Sequence, residues 1–276
     1  MEHLNAVIII IIFTFLIHFS EASVYMLRLA GIRTRRLATA LSFITSALLI
    51  SRLSNMMQAP FLGNLVDISI QSQAPDAFAQ LIELFRIFIF SACIGSLAGA
   101  LVAPTMYILL QYAITKFEKY GSFIQMIFSV FLPRHLIGII RSIRMPRPRM
   151  LHDISFKNIP KGFLVLNVLV TSIYTIGVLC SLLAAALLPD LRATAIMLSG
   201  IVNGLATILM ATVVDPKSAQ ITDQAYQGTR PISDVKSVVF GLLVGRIFGT
   251  LIIAQILLIP FTHYIAFFTK IIAKFS

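Results

Sequence analysis

The sequence predicts an all-α protein, a polytopic membrane bundle of about six transmembrane helices forming one domain over residues 1–276. Three observations carry that prediction. Hydrophobic residues make up 58% of the chain and charged residues only 12%, with a mean hydropathy of +0.92, far from the composition of soluble domains. Six stretches reach the roughly 20 apolar residues needed to cross a hydrocarbon core of about 30 Å. None shows the alternation, about ten residues long, of a membrane-barrel strand.

The first span is expected at 4–28. Ile8 to Ile12 and the small residues Ser20 to Ser23 imitate a signal peptide, but no Lys or Arg precedes them and the pattern runs on to Arg28, so an uncleaved span is expected. Thr14, His18, Glu21, Tyr25 and Arg28 follow at steps of three and four, which puts them on one helix face. The second span, 37–59, places Thr45, Arg52 and Asn55 on one face with Gln58 beside them, and Pro60 with Gly63 predicts a bend at its outer end. The third, 84–112, opens near Glu83 and Arg86 and carries Gly95 and Gly99 as a GxxxG. The fourth and fifth, 162–188 and 191–214, hold Asn203 and Thr207 one turn apart, a spacing common in helix-to-helix hydrogen bonds. The sixth, 237–268, has Gly241, Gly245 and Gly249 with Arg246 beside the middle glycine, and Pro260 predicts a kink. Such glycines permit close helix approach within the chain or in a homodimer.

Charge fixes the orientation. Arg28, Arg33, Arg35 and Arg36 follow the first span, and nine Lys and Arg from Lys116 to Lys161 lie between the third and fourth. The second-to-third connection has none, so the odd-numbered loops are expected in the cytoplasm and both termini outside. Lys270 and Lys274 argue against the C-terminal half of that expectation. The net charge of +11 is therefore read as a membrane-leaflet charge with anionic lipids as partners and no nucleic acid. Within the basic loop at 113–161, Arg134, Arg141 and Arg144 opposed by Leu136, Ile137, Ile140 and Ile143 predict a helix in the headgroup plane, and "MPRPRM" a stiff linker. A plain topology signal explains the same charges. Tyr25, Arg36, Arg52 and Asp67 recur loosely as Tyr174, Arg192, Asn203 and Asp215, the outline of an inverted 3+3 repeat. The spacings are unequal, and coincidence explains them as well.

Enzyme signatures are missing: there is no HExxH, no GxSxG, no GxxxxGK[ST] and no paired intramembrane aspartates. Cys93 and Cys180 fall inside spans, so neither a disulfide, a metal site nor a cofactor is expected. An ionisable group at the centre of a span costs about 2.5 to 3.5 kcal/mol. Arg52, Arg246 and Glu21 must therefore face a cavity or one another, and a structural Glu21–Arg52 ion pair is the alternative to a lining role.

The stretches "AGIRTRRLATALS", "SRLSNMMQAPFLGNLVD" and "VNGLATILMATVVDPKSAQITD" resemble the Amj family of lipid II flippases, the alternative to the MurJ flippases, over essentially the whole chain. That resemblance implies a multi-pass protein of a bacterial inner membrane, a transporter and not an enzyme. It would move the peptidoglycan precursor lipid II, an undecaprenyl-diphosphate-linked disaccharide-pentapeptide, to the outer leaflet. Arginine's planar fork suits phosphate oxygens, so Arg52, Arg246 and Arg86 are the interior candidates for the diphosphate. Arg28, Arg33, Arg35 and Arg36 would gather the lipid at the cytoplasmic mouth. Asn55 and Gln58 suit sugar or peptide groups, and Glu21 with His18 is a candidate coupling pair. Two other readings remain open: an intramembrane enzyme on polyprenyl phosphates using His18 and Glu21, and a membrane subunit whose charged stripe docks a partner.

Overall fold

The computed structural model describes residues 2–72, 74–121 and 143–275. Among the described residues there is no strand. Six helical segments are long and apolar enough to span a bilayer: Leu4–Thr34, Leu37–Ser72, Ala77–Leu101, Lys161–Leu187, Pro189–Tyr226 and Ile232–Ile272.

The first span is two helices, α1 (Glu2–Ser23) and α2 (Met26–Thr34). A tight turn joins them, in which the Tyr25 N–H reaches the Ala22 carbonyl and the Leu27 N–H reaches that of Val24. The span runs past the expected limit at residue 28 and stops at Arg35, whose left-handed backbone (φ 58°) turns the chain. The second span is α3 (Leu37–Ser72), 36 residues long with Pro60 inside it. The bend expected at Pro60 and Gly63 does not interrupt the helix. A proline forfeits one backbone bond, here to the Met56 carbonyl, and a membrane helix tolerates that loss because breaking further bonds in hydrocarbon costs more.

The stretch expected as one span at 84–112 divides into α4 (Ala77–Leu101) and α5 (Ala103–Tyr120), with Val102 between them. Pro104 sits in the first turn of α5, where its missing N–H costs nothing and its fixed φ starts a new helix. Most of the expected interfacial helix lies outside the described residues. Beyond it the Arg144 N–H donates to Thr105 Oγ1 at 2.9 Å, and a short 3₁₀ turn spans Pro148–Leu151.

The fourth span is α6 (Lys161–Leu187). The fifth is built from pieces: α7 (Arg192–Met197), α8 (Ser199–Leu209), a π turn at Met210–Val214 and α9 (Asp215–Tyr226). The sixth comprises α10 (Ile232–Phe248), a π turn at Gly249–Ile253 and α11 (Ala254–Ile272). Its irregularity therefore precedes Pro260, which lies inside α11.

Glycine ridges set the packing, and they are used within the chain. A Cβ at Gly95 would stand 2.5 Å from the Phe15 carbonyl oxygen and one at Gly99 2.6 Å from Ala22 Cβ, so α4 lies directly on α1. Gly245 and Gly249 bring the sixth span onto α6 in the same way, a Cβ there meeting Asn167 at 2.5 Å and Ser172 at 2.9 Å. In each half the third span rides on the first. One apolar cluster, including Ile10, Phe85, Phe88, Leu183 and Leu258, and a second, including Ala22, Phe163, Ile221, Val235 and Leu242, form the core. Along α1 the polar residues Thr14, His18 and Glu21 fall between Ile10 of the first cluster and Ala22 of the second.

The basic ends gather on one side of the bundle. Arg36 pairs with Glu118, Tyr226 Oη donates to the Arg35 carbonyl at 3.2 Å, Arg230 donates to the Asn158 carbonyl at 2.6 Å, and Lys236 pairs with Asp153 at 2.7 Å. The Lys236 ammonium holds the Asp153 carboxyl below its ordinary range, chiefly by hydrogen bonding. At the opposite end Asp67 of α3 meets Arg192 of α7 at 3.0 Å.

Candidate translocation site

The site starts from the stripe on the first span. Thr14, His18, Glu21 and Tyr25 are all buried, as a polar helix face must be when it turns from lipid to partners. Glu21 is held from two sides: Arg246 Nη1 donates to Oε2 at 2.6 Å and the Ser51 hydroxyl donates to Oε1 at 2.6 Å. Arg246 is spread over three residues of the first span, since it also approaches Tyr25 Oη at 3.4 Å and His18 Nδ1 at 3.3 Å. Only 4% of Arg246 is exposed. A desolvated ion pair is tolerable when further hydrogen bonds occupy its remaining donors and lone pairs, and the hydroxyl and imidazole partners do so here.

The structural alternative of a Glu21–Arg52 pair is thus corrected, since the cation on Glu21 is Arg246. The reason is helical geometry: Ser51 occupies the face of α3 turned towards α1, and Arg52 is rotated about 100° away. Arg28 is also buried at 3% exposure. It pairs with Asp215 of α9 at 3.2 Å, and its guanidinium lies 5.6 Å from the Tyr25 ring centroid, with that of Arg246 at 5.7 Å from the same ring. Tyr25 therefore bridges two cations through its π face.

Beside this cluster lies a small polar cavity of about 60 Å³. Thr14 and His18 of α1, Asn55 and Gln58 of α3, Tyr174 and Thr175 of α6 and Asn203 of α8 supply its polar lining, and Phe88 and Leu179 part of its apolar wall. Thr14 donates to Gln58 Oε1 at 3.0 Å, and Gln58 Nε2 donates to Asn55 Oδ1 at 3.2 Å. Asn203 Oδ1 is buried without a partner among the described residues. A cavity of that size holds on the order of four waters, so a glycan headgroup enters only if the walls separate.

Arg52, one turn before the cavity residue Asn55 on α3, does not line this cavity and differs from the other intramembrane arginines. It is exposed, it interacts electrostatically with Tyr174, and among the described residues it has no hydrogen-bond or ion-pair partner. Arg86 lies elsewhere, donating to the carbonyl and to Oε1 of Gln255 at 3.2 Å each, while Gln255 Nε2 returns a bond to the Arg86 carbonyl at 3.0 Å. It ties α4 to α11 and does not line the cavity. Arg33 is exposed at the basic end, and Arg36 is engaged by Glu118. The structure thus brings His18, Glu21 and Arg246 together, with Asn55 and Gln58 lining the neighbouring cavity and Arg52 one turn from Asn55, and leaves Arg86 and Arg36 apart. Sequence reasoning missed Ser51 and Thr175 because a hydroxyl inside a span carries no signal of its partner. It met Tyr174 only in the loose internal echo. Among the described residues no group of three His, Cys, Asp or Glu is placed to hold a metal.

Comparison with known proteins adds to this geometry. A family model described as "Alternate to MurJ", Amj, matches residues 13–269. The lipid II flippase Amj of Bacillus subtilis (strain 168) is 36% identical over 265 residues, covering 96% of this chain and 97% of that protein. No solved structure matches. A family match over nearly the whole chain and a relative aligned almost end to end establish that this chain belongs to the Amj family.

Proposed function

We propose that the protein is a lipid II flippase of a bacterial inner membrane, carrying undecaprenyl-diphosphate-linked disaccharide-pentapeptide from the cytoplasmic to the outer leaflet. The observation that carries the reading is Arg52. An arginine deep in a span, exposed and without a counter-ion among the described residues, is costly unless water or an anionic ligand meets it. The diphosphate of a polyprenyl-linked precursor supplies that anion, and the guanidinium fork matches its paired oxygens.

Asn55, Gln58 and Asn203 offer amide donors and acceptors for sugar and peptide groups beside it. Arg246 serves the diphosphate only if Glu21 releases it, which gives Glu21 and His18 a coupling role: the carboxylate that holds the cation at rest yields it when protonated or displaced. Arg33 and the other basic groups at the cytoplasmic end gather the anionic lipid and rest on anionic headgroups. Aqueous cavities for chemistry on the lipid are not needed, and a transporter accounts for the site without a catalytic pair.

The test is complementation. Cells depleted of their own lipid II flippase and expressing this chain should grow and accumulate lipid II in the outer leaflet. Normal membrane abundance of the protein without growth or outer-leaflet lipid II would reject the reading.

A further inference from the structure

We infer that the seam between the second and fifth spans, α3 and α8, is the lateral portal along which the polar headgroup travels while its apolar tail stays in lipid. The inference rests on the flippase reading and assigns it a route. At about 100° per residue, Asn55, Met56, Ala59, Gly63, Val66, Asp67 and Ile70 all fall within about 60° of Arg52 towards the outer end of α3. From Arg52 to Gly63 this face is polar or small apart from Met56, and beyond Gly63 it carries Val66 and Ile70 beside Asp67. Near its outer end Asp67 meets Arg192, so that end of the face is turned towards the fifth span.

The fifth span presents a polar face at the cavity, with the Asn203 side chain itself lying against Gly177 of α6. Ser199, Gly200 and Thr207 lie within about 60° of Asn203 around α8, and Asn203 shares the cavity with Asn55 and Gln58. The seam is open in the middle: a Cβ added at Gly63 or Gly200 would meet nothing within 4 Å. This separates these glycines from Gly95, Gly99, Gly245 and Gly249, which are filled by neighbouring helices. A lipid-facing surface gains nothing from an arginine, two amides and hydroxyls, whereas a path for a hydroxyl-rich headgroup does.

The same two spans are the least anchored. Within their most apolar windows 28% of the second and 17% of the fifth are buried, against 44% to 50% for the others. The fifth is fastened to the first half by an ion pair near each end, Asp67–Arg192 at 3.0 Å and Arg28–Asp215 at 3.2 Å. Between the cavity residue Asn203 and Asp215 lies the π turn at Met210–Val214, a local irregularity of the kind where helices bend. The outer latch is half exposed on both sides, and such pairs are worth only about 0 to 1 kcal/mol. It is thus able to open and close during a transport cycle.

The test uses full-length protein with Cys93 and Cys180 replaced by Ala, carrying single cysteines at seam or lipid-facing positions. In proteoliposomes, Gly63→Cys and Ser199→Cys should react with a water-soluble methanethiosulfonate at least tenfold faster than Met197→Cys. Added lipid II should slow the two seam reactions at least threefold. Asp67→Cys/Arg192→Cys joined by a short, reducible bis-thiol linker should lose at least nine-tenths of its lipid II flipping and recover it on reduction. Seam cysteines no more reactive than Met197→Cys overturn the portal, as does a cross-linked protein that flips at the rate of its reduced form. A reduced protein that labels as expected but neither binds nor flips lipid II overturns the flippase reading instead, and the portal with it as a lipid II route.

Discussion

At the scale of single residues, the site separates arginines that are already neutralised from one that is not. Arg246 has Glu21 at 2.6 Å and Arg28 has Asp215, while Arg52 has no such partner among the described residues. Arg52→Ala should therefore leave insertion and abundance normal but lower the flipping rate by on the order of tenfold to a hundredfold, since hydrogen bonds to charged groups contribute about 1.5 to 3 kcal/mol. Arg52→Lys keeps the charge and loses the fork, and should recover only part of the rate. A flipping assay normalised to membrane abundance decides, and unchanged transport in Arg52→Ala removes the residue from the site. Glu21→Gln should behave differently, because it strands a buried cation at a cost of about 3 to 5 kcal/mol. Its midpoint of thermal unfolding in detergent should fall, and Glu21→Gln/Arg246→Gln should recover part of that loss without recovering transport. The stripe on the first span and its burial were legible from the spacing of Thr14, His18, Glu21 and Tyr25. Which cation met Glu21 was not, because that choice depends on how the sixth span packs, and helix rotation is not encoded in the periodicity of α1 alone.

At the scale of elements, two kinds of glycine are at work. Gly95 and Gly249 bring helices into contact, and a methyl at Gly95 would fall 2.5 Å from a carbonyl oxygen that no rotamer change can move. Gly95→Ala should thus destabilise by about 1 to 3 kcal/mol, the usual range for overpacking, whereas Gly63→Ala and Gly200→Ala should not lower the unfolding temperature. A thermal-shift series over these variants checks the division, and equal losses at all of them would contradict it. Number and type of spans followed from composition, since roughly 20 apolar residues have few other homes. The breaks were harder to locate. Pro104 starts a new helix where one long span was expected, yet Pro60 does not interrupt α3. A proline's effect depends on whether neighbouring backbone can give up a bond, and that is a property of the surroundings and not of the residue.

For the whole molecule, the basic end and the sparsely charged opposite end make transport an electrical question. An elementary charge crossing the membrane gains or loses about 2.3 kcal/mol per 100 mV, so a diphosphate of about two negative charges moving outward gains roughly twice that in an inside-negative cell. Flipping in proteoliposomes should therefore quicken with an inside-negative potential, slow when the sign is reversed, and need no nucleotide. Equal rates at all potentials would remove the electrical drive. The length of α3 acts at this same scale. Its 36 residues make a rod of about 54 Å, while the hydrocarbon core is about 30 Å thick. A rigid rod that long must lean or protrude, and its lean is set by the helices it packs on, with the thickness of the bilayer biasing it. Thicker bilayers stand the rod up and thinner ones lay it down, so acyl-chain length becomes a control on how wide α3 parts from its neighbour.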